Sequence, residues 1–179
     1  MSPRNLPIKM HPDYSGSIMS QVVAVEPAQI RDYVLNHLGE VFQTMLSLKP
    51  TPVDTDNPIP PPHGISGSVG FIGAAITGTV YLHLSPLFGL RATAAMLGLP
   101  PEELTDADSN DVIGEVTNML AGGLKSWLCD AGATCALSTP SIIRGQSYQV
   151  QPIGGVQHIK LEFVCDNERF MAEVHFKLR

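Results

Sequence analysis

Two runs of alternating side chains near the C terminus constrain the fold of this chain more than any other feature. Residues 158–163 alternate polar and apolar side chains, and in 170–178 every even position is apolar. Side chains along a β-strand point alternately to its two faces, so each run predicts a strand with one buried face. Asp166 and Asn167 between the runs favour a turn. The C-terminal part is therefore predicted to be an antiparallel hairpin.

A second hairpin is predicted earlier in the chain. Residues 65–73 and 75–84 both have the composition of strands, and the first run ends at Gly73. Within the second of these, Val80, Leu82 and Leu84 alternate with more polar residues. That period of two again indicates a sheet with one buried face.

Three stretches are predicted to be helices. Apolar residues at spacings of three and four predict one over 27–48, and 86–97, which Gly98 and Pro100 end, is predicted to be another. A third helix is predicted to begin near Thr105 or Asp108, which have the spacing of a capping box, and to end before Gly132. The chain is therefore expected to be an α+β domain, an antiparallel or mixed sheet with long amphipathic helices packed on one face.

The 179 residues suit a single domain with a sizeable core. Residues 1–20 are polar and contain proline, so we expect a flexible N-terminal segment there. Residues 21–179 are expected to form the domain, with a proline-rich extended connector at 50–62 inside it.

Composition excludes several classes of function. The formal net charge of −6 argues against a nucleic-acid partner, because such proteins need basic surfaces to neutralise phosphates. Cys129, Cys135 and Cys165 are widely spaced and odd in number, which favours free thiols over disulfides or zinc ligands. The most apolar stretch, 69–84, falls short of the roughly 20 apolar residues of a membrane helix, and 1–21 lacks an apolar signal core. A cytoplasmic protein without a membrane segment is expected.

The third helix has the most distinctive surface. On a helical wheel at about 100° per residue, the two sides of 111–128 separate cleanly. Its apolar side, which we expect to pack on the sheet, consists of Val112, Ile113, Val116, Met119, Leu120, Leu124 and Trp127. Its polar side consists of Asp111, Glu115, Asn118, Gly122 and Lys125. Glu115 and Asn118 are three residues apart, so their side chains are neighbours.

Gly114, Gly122 and Gly123 are unusual within this helix. Each interior glycine costs about 1 kcal/mol of helix propensity relative to alanine. Three such positions indicate that another backbone or molecule approaches closely. The approaching group is either the sheet below the helix or another protein above it, and the sequence leaves both possibilities open.

Residues 111–125 (DVIGEVTNMLAGGLK) resemble the signature helix of the CheX branch of the CheC/CheX/FliY family of chemotaxis phosphatases. An acidic residue, a glutamate four positions later and an asparagine three positions after that form the family's pattern. Further weak motifs follow in the expected order: 42–48 resembles the end of the first helix, 65–78 the first hairpin and 137–145 the strand after the signature helix. This chain has a single signature helix. In that respect it resembles the CheX branch, because CheC-like chains typically carry two.

The resemblance implies a phosphatase that hydrolyses the aspartyl phosphate of a receiver domain, typically CheY. Glu115 would dock onto the receiver's active-site lysine, and Asn118 would position the attacking water. Asp111, Gly114, Gly122 and Lys125 would belong to the partner-binding surface. The protein would need no metal or cofactor of its own, because Mg²⁺ is expected in the receiver. The family also implies a homodimer. Residues 1–20 and 50–62 are not part of the family pattern.

Two alternatives remain at this point. A non-enzymatic module could dock a receiver or a flagellar-switch-like partner through the same helix face. A structural domain could carry a polar helix face that is simply solvated. An enzyme acting on a small molecule is disfavoured, because the chain has no P-loop, no GxGxxG turn and no GxSxG or HExxH motif.

Overall fold

A computed structural model describes residues 25–55, 63–146, 148–152 and 154–179. In chain order the elements are α1 (Pro27–Leu46), β1 (Thr51–Pro52), β2 (His63–Gly73), β3 (Ile76–Leu84), α2 (Pro86–Leu97), a 3₁₀ turn (Pro101–Glu103), α3 (Asp106–Asp130), β4 (Cys135–Leu137), β5 (Ser141–Gln146), β6 (Gln157–Cys165) and β7 (Glu168–Leu178). The segment predicted to be flexible, 1–20, lies outside the described residues, as do 56–62 of the predicted connector. None of the helices in the described ranges is long and apolar enough to span a membrane.

The strands form one sheet in the order β1-β6-β7-β3-β2, and both β4 and β5 pair with β2. Every pairing is antiparallel. The three α-helices pack together on one face of this sheet, where α3 crosses β2 and β3. This arrangement confirms the predicted α+β fold.

Both predicted hairpins are present. In the C-terminal hairpin Cys165 pairs with Glu168, which leaves Asp166 and Asn167 as a two-residue turn. Their φ angles are 48° and 67°. Left-handed conformations at both positions match the right-handed twist of the strands, and Asp and Asn tolerate them better than most residues.

The apolar core lies between the helices and this sheet face. At one end of it, the Phe170 ring of β7 lies 4.9 Å from the Phe42 ring of α1 and 4.9 Å from the Phe88 ring of α2. Phe163 of the neighbouring strand lies 5.4 Å from the same ring. Because the four rings join two helices to two strands, this cluster fixes how α1 and α2 sit on the sheet.

The prediction of only one buried sheet face is wrong. His83, Glu173 and His175 point away from the helices, yet each is no more than 6% exposed. Residues 148–152, between β5 and β6, lie over this second face, and Tyr148 hydrogen-bonds to Ser66 of β2. Polar side chains in the alternating pattern are therefore not all in solvent.

The strand expected over 137–145 is divided into β4 and β5. Both halves pair with β2, and the interruption lies around Ser138. There the Ser138 N–H donates to Gly70 O at 2.8 Å, and the Gly70 N–H donates to the Ser138 hydroxyl at 2.9 Å. A serine side chain thus replaces one backbone acceptor of the ladder.

The cysteines agree with the prediction of free thiols. Cys135 and Cys165 are buried, Cys129 is half-buried, and all three are free. Burial raises the pKa of the Cys135 and Cys165 thiols. Both groups are therefore protonated near neutral pH.

Candidate functional site

Helix α3 begins with the predicted capping box. The Asp108 N–H donates to the Thr105 hydroxyl at 3.2 Å, and the Thr105 N–H donates to the Asp108 carboxylate at 2.8 Å. Hydrogen bonds from Thr105 hold the pKa of the Asp108 carboxyl below its usual range. The carboxylate is therefore charged at neutral pH, which suits the positive end of the helix dipole.

The inward side of α3 is set into the sheet. Thr117 is fully buried, and its hydroxyl donates to Ile113 O at 2.7 Å. It lies against Gly67 of β2, where an added Cβ would be only 2.0 Å from the Thr117 hydroxyl oxygen. The missing side chain at Gly67 is what lets α3 approach β2 this closely. The position of α3 is therefore fixed by contacts inside the domain.

The outward side of α3 carries the predicted polar residues on successive turns. Asp111 and Glu115 are exposed, and Asn118, Gly122 and Lys125 are partly exposed. Within the described part of the chain, neither the Glu115 nor the Asn118 side chain makes a hydrogen bond or an ion pair. We call Asp111, Glu115, Asn118 and Gly122 the outer stripe. Its two central polar groups are available to another molecule.

The three glycines of α3 have three different surroundings. Gly114 is buried, and an added Cβ would lie 3.7 Å from Pro140 and 3.9 Å from Ile142. An added Cβ at Gly123 would lie 2.0 Å from the ring of His37 on α1, whereas at Gly122 it would meet no described atom within 4 Å. Contacts inside the domain thus explain Gly123 and place Gly114 away from the outer stripe. No contact in the described part of the domain explains why position 122 is a glycine.

Sequence reasoning missed the contribution of Arg144. This β5 side chain donates to the Asn110 amide oxygen at 2.8 Å and to Asp106 O at 3.0 Å, and pairs with the Asp106 carboxylate at 3.1 Å. It therefore ties β5 to the first turn of α3. No periodicity relates an arginine to residues more than 30 positions earlier, so only the fold could reveal this contact.

The described residues contain no group of three or more His, Cys, Asp or Glu side chains arranged to hold a metal ion. The outer stripe offers one carboxylate pair and one amide, all on a convex helix surface. Such a surface suits contact with a macromolecule that brings its own cavity, rather than enclosure of a small ligand.

The family model described as Chemotaxis phosphatase CheX matches residues 65–164, which is 100 of the 179 residues. The chain belongs to the CheX family. The matched region runs from β2 into β6 and contains the whole of α3. The resemblance stated from the sequence is therefore confirmed.

Individual relatives agree with the family assignment. The CheY-P phosphatase CheX of Thermotoga maritima is 22% identical over 143 residues, which cover 79% of this chain and 92% of that protein. The crystal structure of chemotaxis protein CheX from Vibrio vulnificus has a TM-score of 0.74 and 27% identity, covering 86% of this chain and 100% of the other. A CheX–CheY–BeF₃–Mg²⁺ complex from Borrelia burgdorferi shares the fold, with a TM-score of 0.66, 17% identity and coverage of 82% and 96%.

Proposed function

We propose that this protein is a phosphatase that hydrolyses the aspartyl phosphate of a CheY-like receiver domain and acts through α3. The observation that carries the proposal is the pair of unpartnered side chains, Glu115 and Asn118, at the middle of a helix that the domain holds in place. The family description and the name of the Thermotoga maritima relative support the reaction class. The Borrelia burgdorferi complex supports a CheY-like partner.

Asn118 is proposed to position the attacking water. Its amide can donate one hydrogen bond and accept another, so it can hold a water on both sides. A carboxylate in this position would repel the negatively charged phosphoryl oxygens, whereas a neutral amide does not. Since phosphoryl transfer depends mostly on positioning and charge stabilisation, one well-placed amide is a sufficient contribution from this side.

Glu115 is proposed to dock onto the receiver's active-site lysine. A carboxylate and an ammonium form a charge-assisted hydrogen bond, which is stronger than a neutral one. Asp111 lies one turn before it on the outer stripe, and Lys125 flanks the far end. Gly122 leaves the helix surface bare at the turn after Asn118, so the receiver's backbone can approach there. The receiver would supply the phosphorylated aspartate and the Mg²⁺.

The proposal predicts a large loss of activity in Asn118→Ala. We expect dephosphorylation of a cognate ³²P-labelled receiver to slow by roughly 10²-fold or more, because the reacting water loses its positioning group. The free energy of unfolding should barely change, since no described contact depends on this side chain. Asn36→Ala, at an exposed position on α1, is the matched control and should behave as wild type.

Glu115→Ala separates docking from chemistry. It should weaken receiver binding and raise KM more than it lowers kcat. If wild type binds the phosphorylated receiver but leaves its decay rate unchanged, the protein is a docking module instead of a phosphatase. An Asn118→Ala variant as active as wild type would refute the role of the amide.

A homodimer and a cytoplasmic location also belong to this proposal. Strand β5 pairs with β2 through one edge, and Ile143 of β5 is 37% exposed. Exposed strand edges are a common route to self-association. Light scattering of the purified protein would establish the number of copies in solution.

A further inference from the structure

Helix α1 contacts α3 directly behind the proposed catalytic turn. The His37 Nε2 atom lies 3.3 Å from the backbone oxygen of Met119, the residue after Asn118. The other ring nitrogen, Nδ1, lies 3.6 Å from the Glu40 carboxylate. The side chain is only 21% exposed, so its ring is held between the two helices. His37 therefore offers a second donor to a carbonyl that already belongs to the backbone ladder of α3.

Gly123 provides the space for this contact. An added Cβ there would lie 2.0 Å from His37 Nε2 and within 2.6 Å of two ring carbons. Gly122 is the opposite case, since an added Cβ would meet no described atom within 4 Å. The adjacent glycines thus open opposite sides of one turn, Gly123 towards α1 and Gly122 towards the outer stripe.

The two glycines make this turn the weakest part of α3. Together they cost roughly 2 kcal/mol of helix propensity relative to two alanines. The N–H groups of Gly122 and Gly123 bond, in a regular helix, to the carbonyls of Asn118 and Met119. Any opening of these bonds would reorient the backbone that carries the Asn118 amide. A support from outside the helix is therefore most useful here.

An aromatic stack extends the support on the α1 side. The Tyr33 ring lies 5.3 Å from the His37 ring on one side and 5.3 Å from the Trp127 ring on the other, with interplanar angles of 28° and 23°. Trp127 belongs to the turn of α3 after Gly123. Side chains of α1 thus bracket the glycine pair from Met119 to Trp127.

We propose that His37 is a positioning residue for Asn118. Its hydrogen bond to Met119 O and its packing against Gly123 hold the turn that contains Gly122 and Gly123 in helical form. This fixes the direction of the Asn118 amide. His37 belongs to α1 and contacts α3 away from the outer stripe. The catalytic part of this inference rests on the proposed function, whereas the ordering of the turn does not.

His37→Phe and His37→Gln test the proposal as a pair. Phenylalanine keeps the ring that stacks on Tyr33 but has no donor, whereas glutamine restores a donor. We expect kcat for receiver dephosphorylation to fall roughly 10-fold in His37→Phe with little change in KM, because the water is misplaced while docking is intact. His37→Gln should recover most of this loss.

Amide hydrogen exchange gives a readout that does not depend on activity. In His37→Phe the amides of Gly122 and Gly123 should exchange faster, while those of the first half of α3 stay as in wild type. Gly123→Ala should reproduce the kcat loss by displacing the His37 ring. Gly122→Ala adds the same methyl group on the other side and should act mainly on KM.

The outcomes separate the two proposals. Unchanged exchange at Gly122 and Gly123 in His37→Phe would overturn the positioning role, as would faster exchange with unchanged kcat. If exchange were faster by the same factor in all helices, His37 would contribute only to general packing. That result would also overturn the positioning role. If wild type does not accelerate receiver dephosphorylation, the proposed function fails together with the catalytic part of this one, and exchange still decides whether His37 orders the turn.

Discussion

Both faces of the sheet contain buried side chains, but these are held by different means. On the helix-covered face, Phe42, Phe88, Phe163 and Phe170 pack ring against ring. On the second face the buried groups are largely polar, and Glu173 lies at their centre. One face is held by apolar contact, and the other by compensation of charge.

The contacts of Glu173 show how that compensation works. Its carboxylate lies 2.8 Å from His175 Nε2, 3.3 Å from Lys160 Nζ and 3.9 Å from His83 Nε2. His83 Nδ1 lies 2.6 Å from the Ser66 hydroxyl, which in turn hydrogen-bonds to Tyr148. The segment that covers this face is therefore linked to a network whose charges depend on protonation.

This difference separates the sheet contact of α3 from the titrating groups of the second face. Helix α3, which carries Glu115 and Asn118, is mounted on the apolar face. Burial of apolar surface does not vary with pH, whereas the protonation of a buried imidazole such as that of His83 does. We therefore expect the packing of α3 on the sheet to be less sensitive to pH than the contacts of the second face.

The largest expected effect is on the apolar face. Phe170→Ala should lower the free energy of unfolding by about 3–5 kcal/mol, because it removes a fully buried ring and leaves a cavity between two helices and two strands. Urea denaturation measures this loss, which should not vary with pH. Leu87→Ala, at a side chain 58% exposed, is the control and should cost under about 0.5 kcal/mol. A loss at Phe170 as small as the control would remove the distinction between the faces.

A smaller effect is expected at the centre of the polar face. Glu173→Gln keeps the shape of the side chain but removes the carboxylate charge opposite Lys160, so we expect a loss of about 1–3 kcal/mol. The exposed Asp130→Asn is the matched control, because it makes the same type of change at a surface position. If Glu173→Gln proves as stable as wild type, charge compensation does not hold the second face together.

The smallest effect is the pH dependence expected from His83. Burial lowers the pKa of this imidazole below its ordinary value of 6.5, and Glu173 only partly opposes the shift. The unfolded chain therefore binds the proton more readily than the folded one. The contribution of neutral His83 is complete above pH 6.5 and is lost as the pH falls below that value, with a slope of at most about 1.4 kcal/mol per pH unit.

Urea denaturation at several pH values tests this prediction against two variants. His83→Gln should flatten the pH profile of the unfolding free energy between pH 5 and 7 (about the range over which an ordinary histidine titrates). His158→Gln, at an exposed histidine on the same face, should leave the profile unchanged. A wild-type profile already flat in this range would contradict a neutral, buried His83.

The sequence predicts most of the fold because local periodicity determines most of its elements. The helices of 3.6-residue period, the two hairpins, the Thr105 cap and the turn at Asp166 and Asn167 all follow from neighbouring residues. The burial of side chains on the second face does not follow from neighbouring residues. His83 and Glu173 have the pattern of solvent-facing residues, and their partners lie on other strands and in the segment after β5. Only the assembled sheet brings these charges together.

The candidate site divides in the same way. Periodicity predicts that Glu115 and Asn118 share a face, and the structure places both on the outer stripe. Their chemical roles come from the family resemblance and stay predictions. The glycines could not be assigned from the sequence, because the reason for Gly123 is His37, which is 86 positions away in another helix.

The close packing of Thr117 against Gly67 affects how the outer surface of α3 can change during evolution. The contact at Gly67 sets the depth and rotation of α3 on the sheet. The same positions of α3 therefore face outward, whatever residues occupy them. Selection can then exchange the outward residues without disturbing the anchoring contact. Partner preference and foldability would be encoded on opposite sides of a single helix and could be inherited almost separately.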